Sequence, residues 1–107
     1  MANASGVSLD FKFGNIPFIS SARKYAEMGC FPGGAFDNKM HFESNVKFAA
    51  EIDEANQILL FDPQTSGGLL LGVPQDKLDS FIARAKAAGQ AVWEIGRVET
   101  GAGITVR

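Results

Sequence analysis

Residues 7–13, Val-Ser-Leu-Asp-Phe-Lys-Phe, alternate apolar and polar without a break. A period of two sets Val7, Leu9, Phe11 and Phe13 on one side of an extended chain and Ser8, Asp10 and Lys12 on the other. That pattern predicts a half-buried strand, which needs neighbouring strands and a cover for its apolar face. The rest of the 107 residues must supply both. One domain is the expectation at this length, burying about two-thirds of the surface that the unfolded chain exposes. Apolar residues make up 46% and charged residues 21%, so the chain is expected to collapse into a globular fold.

Gly14-Asn15 and Pro17 end the strand. Ser20 or Ser21 is placed to cap a short helix over 21–28, with Gly29 just beyond its end. Residues 30–38, Cys-Phe-Pro-Gly-Gly-Ala-Phe-Asp-Asn, read as a loop, because Pro-Gly-Gly is a turn signal. A second strand is expected near 45–48. Ile52, Ala55, Ile58 and Leu59 keep a helical spacing over 52–60, and Asp53 and Glu54 suit the positive end of its dipole. After a break at 61–68, Leu69-Leu70-Leu71-Gly72-Val73 reads as a strand covered on both faces. Leu78, Phe81, Ile82 and Ala85 mark a helix over 75–88 that Gly89 follows. Strands are expected at 91–98 and 103–107. The order from 69 to 98 is then β-α-β, with a right-handed crossover if the strands are parallel. Residues 1–6 are expected to fray.

Composition removes several classes of function. Ten basic side chains against twelve acidic leave a net charge of −2. The longest basic run is Arg23-Lys24, which argues against a nucleic-acid partner. No apolar stretch approaches 18 residues, so no membrane span is expected, and residues 1–6 lack the make-up of a signal peptide. One cysteine, Cys30, allows neither an internal disulfide nor a cysteine-rich zinc site, and the chain reads as cytoplasmic. With one His and one Cys, most metal and nucleophile sites cannot be assembled. Cys30 has no base or cation near it in sequence and is expected to be a packed, inert thiol. His41 is expected to pack or lie at the surface. Asp37 and Asn38 could face a ligand, but such residues after Gly-Gly mostly close turns.

The stretch Asp62-Pro63-Gln64-Thr65-Ser66-Gly67-Gly68 is the most informative. Thr65 and Ser66 supply hydroxyls, Gly67 and Gly68 allow sharp turns, and successive loop N–H groups can form an anion-binding nest. No Lys follows the glycines, so it is not a P-loop. The same residues also suit a tight connection in which Asp62 and Thr65 bond local backbone donors. Both readings stand on chemistry alone.

The string Leu59–Leu70 closely resembles a signature of selenophosphate synthetase (selenide, water dikinase), in the aminoimidazole-ribonucleotide-synthetase superfamily. Ile16-Pro17-Phe18, Gly29–Gly34 with Asn38, and Ile95-Gly96-Arg97-Val98 are similar to that family's pattern in the same order. The resemblance covers about residues 6–100 and implies an α+β fold: a mixed β-sheet with packed helices, partly ferredoxin-like in connection. It places residues 1–107 in one partial C-terminal domain, truncated at its N-terminal side. It implies an enzyme that makes selenophosphate, AMP and phosphate from ATP, selenide and water with Mg²⁺. The family's metal-binding aspartates, reactive Cys or selenocysteine and partner Lys would all precede Met1. No catalytic or metal residue and no cofactor is therefore expected in this chain, and Cys30 matches the Gly-Cys-x-Pro-Gly-Gly turn instead. Asp62, Thr65, Ser66, Gly67 and Gly68 are expected to line the phosphate end of a substrate cleft. The implied partners are the N-terminal nucleotide-binding domain and, through exposed sheet or apolar surface, a second copy. The alternatives are a non-catalytic binding or regulatory module that keeps the fold, and a piece of a related ATP-using enzyme.

Overall fold

The computed structural model describes residues 1–107. Four strands form one sheet: β1 (Val7–Phe11), β2 (Val46–Phe48), β3 (Gly96–Thr100) and β4 (Gly103–Val106). Their spatial order is β2-β4-β1-β3. β4 runs parallel to both β1 and β2, while β3 is antiparallel to β1. The fold is α+β with a mixed sheet, as expected. β1 and β2 form a split β-α-β unit, with β4 inserted between them. Five helices accompany the sheet: α1 (Ala2–Ser5), α2 (Ala22–Glu27), α3 (Gly33–Phe42), α4 (Glu54–Leu59) and α5 (Leu78–Ala87).

The register explains the core. Leu9, Ile104 and Val46 form one cross-strand row, and Phe11, Val106 and Phe48 another. Facing residues in a row share a side of the sheet, so these six make its apolar face. Leu9 and Val106 are buried there, and Ile52, Ile58 and Phe61 complete the core from α4 and its flanks. The Phe61 ring meets Phe48 edge-on at 6.1 Å. α4 starts where Asp53 caps it: the Asp53 carboxylate accepts from the Asn56 N–H at 2.8 Å, a bond typical of helix N-termini.

The polar face departs from the alternation rule. Asp10 is buried although it sits on the Ser8/Lys12 side. Thr105 and Arg97 face it across the sheet, and the Arg107 guanidinium donates to its carboxylate. Buried carboxylates require such a partner. β1 stops at Phe11, two residues short of the alternating run, because the chain turns into a 3-10 helix at Phe13–Asn15.

Several expectations fail. The 30–38 stretch is not a loop. Pro32 is the extended residue before α3, and Gly33 and Gly34 are its first two residues. Proline is tolerated at a helix start, and although glycine costs about 1 kcal/mol per helical position, tertiary packing outweighs that, with Ala35 wholly buried on α3. The 69–73 run forms no strand, and Leu69 is 89% exposed. An apolar run records that both faces need cover; it does not supply the neighbour. The closing β-α-β unit is accordingly absent: β3 starts at Gly96 and runs antiparallel to β1. Residues 2–5, expected to fray, form a helical turn with Ala2 buried. The 21–28 and 75–88 helices stand, the latter as a 3-10 turn at Gln75–Lys77 followed by α5. Ser21 precedes α2 with φ 75° and no side-chain capping bond.

Candidate functional site

α4 delivers the chain to the candidate loop. Phe61 N–H donates to the Ile58 carbonyl at 2.9 Å, and the buried Phe61 ring fixes the loop's first residue against β2. Beyond it, Asp62, Pro63, Gln64, Thr65, Ser66, Gly67 and Gly68 are all exposed. Gln64 N–H donates to the Asp62 carbonyl at 2.9 Å, closing a tight turn around Pro63. Asp62 does not receive the local N–H bonds expected of its side chain. Thr65, Ser66, Gly67 and Gly68 donate no backbone hydrogen bond, and neither hydroxyl is bonded within the protein. The last two glycines differ in surroundings. A Cβ on Gly67 would lie 2.7 Å from Gln64 Oε1, whereas Gly68 has open space.

The structure brings a second stretch to this loop. Asn38 Nδ2, on α3, donates to the Phe61 carbonyl at 2.9 Å in a partly buried setting. Gly34, one turn earlier, touches Pro63: a Cβ there would lie 3.1 Å from the proline Cγ. Gly33 and Gly34 donate no backbone hydrogen bond at the start of α3, and no side chain caps that end. The loop therefore adjoins a helix terminus whose first N–H groups point out unpaired and carry partial positive charge. Four unpaired N–H groups and two hydroxyls lie along Thr65–Gly68, and two further unpaired N–H groups stand at Gly33 and Gly34, donors of the kind suited to oxyanions.

The other singled-out residues lie elsewhere. Cys30 is exposed instead of packed, with its thiol 3.9 Å from the Met28 carbonyl. His41 is exposed and meets the Phe42 ring edge-on at 4.6 Å. Asp37 is exposed on α3. On the same helix Lys39 bonds Glu43 at 2.5 Å, and that hydrogen bond holds the Lys39 ammonium above its ordinary pKa, so it is no base. No three His, Cys, Asp or Glu side chains gather. The residues present thus do not fit a carboxylate-held Mg²⁺. Sequence reasoning missed Gly34 and the carbonyl bond of Asn38. Their spacing of four was a helical signal, hidden by reading Pro-Gly-Gly as a turn.

The family described as "AIR synthase related protein, C-terminal domain" matches residues 1–107. A selenide, water dikinase of Caldanaerobacter subterraneus subsp. tengcongensis is 41% identical over 100 residues, 92% of this chain and 29% of that protein. "Selenide, water dikinase 2" of Peptoclostridium acidaminophilum is 38% identical over 99 residues, and the selenide, water dikinase of Pseudomonas aeruginosa 37% over 98. The chain spans less than a third of the length of these relatives, at 28–29%.

Proposed function

Because this chain belongs to the AIR synthase related C-terminal domain family, as a C-terminal segment of the selenophosphate synthetase kind, we propose that it forms the phosphate-facing wall of the cleft in an ATP-dependent, Mg²⁺-requiring enzyme that makes selenophosphate. The observation that carries this reading is the exposed Asp62–Gly68 loop with its free donors, whose Pro63 meets Gly34 at the uncapped start of α3. Phosphoryl transfer gathers negative charge on oxygens, and oriented N–H and O–H donors stabilise that charge as it develops. The loop's part is to bind and orient phosphate oxygens. Asp62, a like charge, shapes the loop and does not touch phosphate. The metal, the nucleophile and the nucleotide-binding domain belong to the rest of the enzyme, which is the chain's first partner, and the working compartment is the cytoplasm. No helix is long and apolar enough to cross a membrane.

The chain alone is expected to release no AMP from ATP and selenide above a no-protein control. Titration of the labelled chain with inorganic phosphate is expected to shift the amide signals of Gly33, Gly34 and Thr65–Gly68 and leave the sheet unmoved. Shifts spread over the whole chain, or confined to its lysines, would contradict the assignment. They would favour a fold kept for another binding role.

A second surface bears on partners. Leu69, Leu70 and Leu71 are exposed on a segment without paired backbone, and Trp93 and Val98 are exposed near the β3 edge. Apolar patches and open strand edges recruit partners. Concentration-dependent self-association is the expected behaviour of the isolated chain, weakened in Leu69→Ser/Leu71→Ser. Sedimentation at several concentrations checks it, and a monomer throughout would contradict it.

A further inference from the structure

Gly34 and Asn38 stand four residues apart on α3, and neighbours at that spacing share one face of a helix. The groups they meet, the Phe61 carbonyl and the Pro63 ring, stand two residues apart where the chain leaves α4 in turns. Two contacts therefore join one helix face to the loop's first segment: Asn38 Nδ2 to the Phe61 carbonyl at 2.9 Å, and Gly34 against the Pro63 ring. We infer that this face of α3 is a clamp that aims the loop, and that Asn38 is its positioning residue. The inference rests on the reading of the loop as the phosphate-facing site and identifies what holds that site in place.

The clamp is decisive because nothing replaces it further along. From Thr65 to Val73 no residue donates or accepts a backbone hydrogen bond, and the next accepting carbonyl belongs to Pro74. The loop is anchored at one end only, through Phe61 and Pro63. The direction in which Thr65 and Ser66 leave that anchor is set by two contacts to α3, the same helix whose first N–H groups adjoin the loop. Both sets of donors thus move with one helix. The chemistry restricts the residue types. A carbonyl oxygen accepts only from a donor, so a carboxylate at position 38 would repel it. A methyl at position 34 would approach Pro63 more closely than ordinary contacts allow, so proline and loop must shift.

The test is backbone ¹⁵N relaxation of the 107-residue chain and three variants, which needs no ligand and so can fail independently of phosphate binding. In the native chain, order parameters at Phe61, Asp62 and Gln64 are expected near about 0.85, the level of rigid backbone. Asn38→Asp is expected to lower them to about 0.6, the flexible range, with β1 and β4 unchanged. Asn38→Gln keeps the donor on a longer arm and is expected to fall between. Gly34→Ala should displace the Asp62 and Gln64 amide signals without loosening the sheet. If Asn38→Asp does not fold, the other two variants give the same reading. Unchanged order parameters and shifts in the loop would overturn the clamp, as would an equal loss of order in the sheet.

Discussion

Turnover of the intact enzyme is expected to fall by about 10²–10³ on Thr65→Ala or Ser66→Ala, the loss that follows removal of one oriented donor at a developing oxyanion. Stability should hardly change. Both side chains are exposed and neither hydroxyl is bonded within the protein, so less than about 1 kcal/mol is at stake. The gap between the two effects is the diagnostic. A loop that merely connects α4 to the following segment would show the reverse: a modest stability change and near-normal turnover. Asp62→Ala should lower turnover less than either, since Asp62 shapes the loop and touches no phosphate. Initial rates and urea midpoints on the three variants measure both quantities.

The largest stability effect is expected in the sheet. Arg107→Ala should cost about 3 kcal/mol, the low end for a broken buried pair. Asp10 is buried in the sheet with a side chain 10% exposed, and one of its oxygens, Oδ1, already lacks a partner. Removing Arg107 strands the whole carboxylate. The Arg107 side chain is 60% exposed, so the reverse change leaves a cation that water solvates. Asp10→Val, which also suits a strand, is expected to lie within about 1 kcal/mol of the native chain or above it. Urea unfolding with matched slopes resolves the pair. Equal destabilisation by both variants would contradict the asymmetry.

Local rules carried much of the fold into the sequence. The alternation at 7–13 marked the central strand, and Asp53 with its spaced apolar residues marked α4. They stopped where tertiary contact decided. Nothing local in Pro32-Gly33-Gly34 announces a helix; the burial of Ala35 and the fit of Gly34 against Pro63 make it one. The buried Asp10 was equally hidden, because its partner lies 97 residues away. The 69–73 run erred the other way, with strand-like composition and no strand to meet. The loop was legible as an unusual string of hydroxyls and glycines between apolar elements. What the residues alone left open was its setting: the surface to which it is fixed, and the helix start beside it.

In the proposed role the Asp62–Gly68 loop, held on α3, faces the phosphates of the intact enzyme. A crystal structure of a full-length selenophosphate synthetase carrying this segment, with a non-hydrolysable ATP analogue bound, tests it most directly. The account predicts that an N–H or hydroxyl of Thr65 or Ser66 lies within about 3.2 Å of a phosphate oxygen, the reach of a hydrogen bond, with Asn38 still donating to the Phe61 carbonyl. A loop turned away from the nucleotide, with those donors bonded to solvent or to other protein groups alone, would contradict it.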